Sequence, residues 1–239
     1  MNTDTVSGRF ASVSRSRTFM RIVRMFGLRQ KKVLDLGCGY GEYLAHFGQG
    51  SVGVTTTSDE VSYGRTHAID IRMGNAERLD ELALPSDFDA VWANNLFEHL
   101  LSPHSFLIKL KRAARPDALL ILGVPVVPRL ASLVRVRQFR GALSVMHINF
   151  FTRETVRLTV ERAGWTVRDV RPFLYKNATL DYLCSFFAPH LYVVAHNDAQ
   201  FTYADKKLKE WQDDPAYHEL LMIAGNDALA HSAPARAVV

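Results

Sequence analysis

The chain has 239 residues, 48% of them hydrophobic, and a formal net charge of +5. That supports one α/β domain with room for an appendage and excludes a globally disordered chain. No apolar run approaches the roughly 18 residues of a membrane span. No secretory leader pattern opens the chain, and Cys38 and Cys184 lie in no metal-type spacing, so a cytoplasmic setting is expected. The mild basic excess suits an anionic substrate, a membrane surface or nucleic acid without choosing among them.

Residues 1–17 are rich in Ser, Thr and Arg and are expected to be a flexible N-terminus. From Thr18, Phe19, Ile22, Val23 and Phe26 recur at helical spacing, with Arg17, Arg21 and Arg24 elsewhere on the wheel. This is either a cap helix or a basic amphipathic helix for a membrane surface. Strand and helix patterns then alternate, which predicts a parallel sheet covered on both faces. The expected strands are Val33–Leu36, Ser51–Thr55, Ile69–Met73, Phe88–Ala93, Ala118–Gly123, Trp165–Arg171 and Leu191–His196. The expected helices are Tyr40–Phe47, Ser58–Arg65, His104–Ala114 and Arg153–Ala163, the last with Thr152 as N-cap and Gly164 as stop. Arg115-Pro116-Asp117 predicts a turn before the fifth strand. One domain is expected over 18–203, with a long insertion at 125–151 and a helical C-terminal extension over 204–239.

The most informative stretch is KKVLDLGCGYGEYL, Lys31 to Leu44. A buried strand runs into Gly37-Cys38-Gly39-Tyr40-Gly41, where glycines allow positive φ and close approach of a ligand. Asp35, two residues before the first glycine, would repel a pyrophosphate but favours a ligand carrying an ammonium and a sulfonium. The stretch resembles motif I of class I S-adenosylmethionine (SAM) dependent methyltransferases. That resemblance implies a doubly wound, seven-stranded, mostly parallel sheet with an antiparallel last strand, and SAM as the cofactor.

Further stretches fit the same family. Thr55 and Thr56 end the second strand, where these enzymes often carry an acid for the ribose hydroxyls; this chain offers hydroxyls instead. Gly74-Asn75-Ala76 resembles the stretch that meets the adenine, which implies contacts from Asn75 and Ala76. Ala93 to Leu100, ANNLFEHL, resembles the segment after strand four in small-molecule methyltransferases, including the ubiquinone-pathway O-methyltransferases. There the strand-end residues, here Asn94 and Asn95, touch the methionine part of SAM, and Glu98-His99 face the substrate. Some relatives hold a divalent cation with that pair and an acid three residues earlier. Asn95 occupies the acid's place, so no metal is expected. Glu98 and His99 serve either the site or the start of a helix.

His147 to Thr152, HINFFT, resembles a stretch of sugar, quinone and small-metabolite methyltransferases. His147 is either a proton acceptor or a residue that seats the loop. His104 is expected at the surface. The insertion carries Arg129, Arg135, Arg137 and Arg140 and no acid, interleaved with Leu130, Leu133, Val134, Val136 and Phe139. It is either a lid that binds an anionic acceptor through Arg135 and Arg137 or a solvated basic face. The prolines of nucleic-acid methyltransferases are missing after strand four, which argues against nucleic acid. The expected partner is a small acceptor, anionic or lipid-linked, such as a sugar, glycolipid or quinone-like intermediate; peripheral membrane contact remains open. The rival reading is a SAM-fold scaffold without turnover.

Overall fold

The strand Val33–Leu36 (β1) is buried at all four positions, because it is paired and covered on both faces. In the computed structural model, which describes residues 3–130, 135–212, 214, 217, 220 and 221, it lies within a seven-stranded sheet. The other strands are Val52–Thr55 (β2), Ile71–Met73 (β3), Phe88–Asn94 (β4), Ala114–Pro125 (β5), Trp165–Arg171 (β6) and His190–Asn197 (β7). Their spatial order is β3-β2-β1-β4-β5-β7-β6. Neighbours from β3 to β5 are parallel, whereas β7 runs antiparallel to both β5 and β6. The last strand is thus antiparallel, as the resemblance implied.

The α-helices are Thr3–Arg15 (α1), Arg17–Met25 (α2), Ser58–Thr66 (α3), Pro103–Ala113 (α4), Arg153–Arg162 (α5), Ala178–Cys184 (α6) and Asp205–Gln212 (α7). Side chains alternate across the sheet, so β4 feeds two cores. Val91 and Ala93 pack with Phe106 and Leu110 of α4 and Val156 and Val160 of α5. Ala90 and Trp92 pack with Phe19, Ile22 and Val23 of α2. The apolar stripe of α2 is therefore spent on the sheet, which selects the cap over the membrane-surface helix. Its start is capped by Ser16, whose hydroxyl accepts from the Phe19 N–H.

Three expectations are corrected. Residues 1–17 contain the regular helix α1, with Val6 and Val13 buried, where a flexible end was expected. Tyr40–Phe47 is not an α-helix: turns lead into one 3-10 turn at Leu44–His46. Gly41 has φ +88°, outside the right-handed helical region, and a Cβ there would meet Ile69 at 3.0 Å. The expected turn at Arg115–Asp117 is an irregularity within β5, where pairing jumps from Phe88↔Ala114 to Ala90↔Leu119.

The insertion closes at its base. Val126 bridges Phe151, and the Val127 N–H donates to the Phe151 carbonyl at 2.8 Å. Between them the described part holds a 3-10 turn at Arg137–Leu143, while the expected lid residues Leu133 and Val134 lie outside the described residues. So does most of the second helix expected after Pro215. No helix among the described residues is long and apolar enough to cross a membrane.

Candidate functional site

The glycine turn after β1 is pinned to β2: the N–H groups of Gly37 and Cys38 both donate to the Val54 carbonyl, at 2.9 and 3.2 Å. Gly37 and Gly39 have φ +73° and +58°, which L side chains adopt at a cost, and Gly37 is exposed. Gly41 instead packs toward Ile69. The Cys38 side chain is buried beside Gly53 and Leu44, so only its backbone faces the turn. Burial, reinforced by Asp35, Glu60 and Glu42, pushes its thiol up and keeps it protonated.

Burial and then the neighbouring Glu42 also raise the Asp35 carboxyl well above the usual range. Asp35 Oδ2, Glu42 Oε2 and Asn94 Oδ1 are buried acceptors with no donor among the described residues. Asp35 pairs with Trp92 in the sheet and Asn94 lies two residues on, so both side chains share one face. Asn94 also donates to the Tyr43 hydroxyl at 3.3 Å. Acceptors left without donors in a polar pocket are costly. A ligand ammonium, with three N–H donors, supplies what they lack, so the residues present fit the amino-acid end of SAM.

At the end of β2 the Thr55 hydroxyl donates to Glu60, in the first turn of α3, and accepts from the Thr57 N–H at 3.2 Å. Thr56 is exposed beside it. Glu60 therefore delivers to this strand end the carboxylate that position 55 lacks, five residues later in the chain. Glu60→Gln is expected to weaken SAM binding about tenfold, the scale of a charge-assisted hydrogen bond. Thr55→Asp should weaken it as well, because two carboxylates would share one hydrogen-bonding position. Calorimetry on both variants checks this, and tighter binding by Thr55→Asp would overturn it. Asn75 is exposed, and its Oδ1 accepts the Glu77 N–H at 2.9 Å, which starts the 3-10 stretch Ala76–Glu81. Ala76 is buried below.

Beyond β4 the chain turns sharply at Asn95, φ +54°, into a 3-10 turn at Phe97–His99. Glu98 is 1% exposed, and burial raises its carboxyl pKa, opposed by its own backbone hydrogen bond and by His99 and His147. His147 arrives from the end of the insertion. Ile148 and Asn149 both donate their N–H to the Glu98 carbonyl at 3.0 Å, and Asn149 Nδ2 donates to the Leu100 carbonyl at 2.6 Å. These bonds place His147 Nε2 3.8 Å and His99 Nε2 3.9 Å from Glu98 Oε1. The two rings meet edge to face, centroids 4.8 Å apart.

The outer nitrogens fix the tautomers. His99 Nδ1 lies 3.1 Å from the Met146 carbonyl and His147 Nδ1 3.3 Å from the Ala142 carbonyl. A carbonyl only accepts, so each Nδ1 carries a proton, and in the neutral ring Nε2 is left as the acceptor. The two Nε2 atoms and the Glu98 carboxylate face one another at distances too long for direct hydrogen bonds. They can take a proton from a hydroxyl placed between them, and the same three ligand atoms, within 4.8 Å of one another, could hold a metal ion.

Other candidates separate. His104 is half-buried, 3.1 Å from the Tyr203 hydroxyl, where a surface residue was expected. Arg129 pairs with Glu154 of α5 at 3.7 Å and lies over the Phe186 ring, so the insertion's charge is partly compensated from outside it. Arg135 and Arg137 are exposed.

Sequence reasoning missed His190, which is bonded to Asn95 Oδ1 at 3.0 Å and lines a cavity of about 430 Å³ with Thr18, Leu174, Phe187 and Tyr192. Burial lowers its pKa from 6.5 to about 4. Between those values the unfolded chain binds the extra proton, so this contribution is complete above pH 6.5 and lost as pH falls toward 4. Chemical denaturation should show about 2–3 kcal/mol less stability at pH 4 than at pH 7 from this group. His190→Gln should flatten that slope; an unchanged slope would assign it to His46 and His104, which burial also lowers.

Comparison with known proteins bears on the family and the fold. A family model described as a methyltransferase domain matches residues 12–170. A ubiquinone biosynthesis O-methyltransferase of Schizosaccharomyces pombe is 25% identical over 160 residues, 61% of this chain and 58% of that protein. Its counterpart in Maricaulis maris is 34% identical over 99 residues, 38% of this chain and 39% of that protein. The chain thus spans about half the length of the curated relatives it matches. A SAM-dependent methyltransferase structure from Archaeoglobus fulgidus superposes with TM-score 0.55 at 18% identity, covering 82% of this chain and all of that one. One from Mesorhizobium loti gives TM-score 0.55 at 15% identity, covering 77% and 99%. At such identities the likeness is one of fold. With a family match over more than half its length and a seven-stranded sheet of the same type, this chain belongs to the class I SAM-dependent methyltransferases.

Proposed function

We propose that the chain transfers a methyl group from SAM to a hydroxyl of a small molecule, with His147 as proton acceptor, His99 beside it and Glu98 holding the resulting imidazolium. The observation that carries this is the convergence of both Nε2 atoms on Glu98 Oε1, at 3.8 and 3.9 Å. SAM supplies an activated methyl on a sulfonium, so the protein's part is alignment, exclusion of water and removal of one proton. With the methyl supplied by bound SAM, His147 Nε2 would take the proton that the acceptor hydroxyl gives up on methylation, and Glu98 would face the imidazolium that results. In this reading the cofactor would lie along Asp35, Gly37, the Cys38 backbone and Gly39, with Thr55, Thr56 and Glu60 toward the ribose and Gly41 packed on Ile69 beneath the turn. Asn75 and Ala76 take the adenine, and Asn94 and Asn95 the methionine end.

The similarity to ubiquinone O-methyltransferases supports oxygen as the methylated atom. A sugar, glycolipid or quinone-like intermediate carries such a hydroxyl, and Arg135 and Arg137 suit an acceptor with an anionic part. The competing reading, a SAM-fold scaffold, is favoured by Asn95 in the place of an acid. Calorimetry with SAM followed by transfer of a tritiated methyl to a panel of sugars, glycolipids and catechols tests both. Binding with O-methylated product is expected; no SAM binding at high micromolar protein would leave the scaffold.

A further inference from the structure

Helix α1 brings Arg9 onto the glycine turn, 33 residues before the acid it meets. Its Nε donates to Glu42 Oε1 at 2.8 Å, a second guanidinium nitrogen pairs with the same oxygen, and the guanidinium lies 5.3 Å over the Tyr40 ring. A Cβ built on Gly39 would meet Arg9 Nη2 at 2.7 Å and the Glu42 carboxylate at 3.0 Å. The ion pair therefore touches the glycine that the cofactor's amino-acid end must pass. Glu42 is 5% exposed and uses one oxygen on Arg9, while its other oxygen is buried without a donor. The remaining acids around the turn, Asp35 and Glu60, add negative charge and no cation.

SAM ends in a zwitterion, an ammonium beside a carboxylate. Asp35, Glu42 and Asn94 supply acceptors for the ammonium. A carboxylate in the same place would face only acids, unless a cation stands among them. We propose that Arg9 is that cation: it receives the SAM carboxylate while the free oxygen of Glu42 and Asp35 receive the ammonium, so that α1 closes over the cofactor as part of its site. This rests on the cofactor site assigned above. A planar guanidinium, held from one side by Glu42 and lying over the Tyr40 ring, keeps further N–H groups for a second carboxylate.

The test compares three ligands by calorimetry: S-adenosylhomocysteine, decarboxylated SAM, which keeps the amine but lacks the carboxylate, and 5′-methylthioadenosine, which lacks both. Arg9→Gln should weaken S-adenosylhomocysteine about 10- to 100-fold and change the other two less than about threefold. Glu42→Gln should weaken both amine-bearing ligands and spare methylthioadenosine. If Arg9→Gln weakens all three alike, Arg9 only docks α1 and the proposal fails. If it tightens S-adenosylhomocysteine, Arg9 is a plug that the cofactor displaces, and the proposal also fails. Wild-type protein that binds methylthioadenosine no worse than S-adenosylhomocysteine would show that the amino-acid end has no site here, which overturns the proposal while leaving an adenosine site. Wild type that binds none of the three would overturn the cofactor site itself.

Discussion

His147→Asn should lower kcat about 10²- to 10⁴-fold and leave the Kd for SAM within about twofold, because the side chain takes a proton and does not hold the cofactor. Asn keeps a polar group near the Ala142 carbonyl but presents no basic nitrogen to Glu98. Glu98→Gln should cost less, about 10- to 100-fold, since it removes the charge that stabilises the imidazolium and leaves the base. If His147→Asn raises the acceptor KM and leaves kcat unchanged, the histidine seats the loop and the proton leaves elsewhere. Activity should also survive a strong chelator. Asn95, where some relatives carry the third ligand, has its Oδ1 bonded to His190 at 3.0 Å, so it does not complete a site around Glu98 and His99. Two imidazoles and one carboxylate suit zinc or cobalt better than magnesium. Full loss with EDTA, reversed by one of those ions, would make Glu98, His99 and His147 metal ligands and remove His147 as the base.

Gly37→Val should abolish measurable SAM binding, a loss of more than about 100-fold in affinity, with the protein still folded. At φ +73° a side chain costs about 1–2 kcal/mol in backbone strain, more for a β-branched one, against a typical stability of about 5–15 kcal/mol. The Cβ itself would meet Leu96 at an ordinary 3.5 Å, so the core is not forced apart. The two branches beyond it enter the space over the turn that the methionine end requires. Circular dichroism melting separates the two effects: a cooperative transition within about 10 °C of wild type, together with no calorimetric binding, is the expected pair. Normal binding by this variant would move the cofactor site away from the turn.

Local pattern was enough for most of the scaffold. Val33–Leu36 and Trp165–Arg171 were legible to the residue, because a buried strand flanked by breakers leaves little choice of limits. The start of α5 was legible too: Thr152 caps it, and Thr155 returns the bond in a capping box. The glycine turn and Asp35 carried the resemblance that implied the cofactor, because the whole motif lies within a few consecutive residues. What failed locally was the helix after the turn, where the left-handed conformation of Gly41 is set by packing on Ile69.

The site's working contacts were decided by the tertiary structure. His147 and Glu98 are brought together because Asn149, 49 residues from Leu100, bonds that carbonyl and ties the end of the insertion to the turn after β4. Arg9 meets Glu42 across 33 residues, in a segment whose polar composition gave no sign of a helix that packs. Even Glu60, only five residues from Thr55, needed the strand-to-helix bend to bring its carboxylate to the strand end. Periodicity and capping are carried by residues within one or two turns of each other, so a sequence displays them. Convergence of single polar side chains from separate elements leaves no period, and only the sheet that holds those elements determines which of them meet.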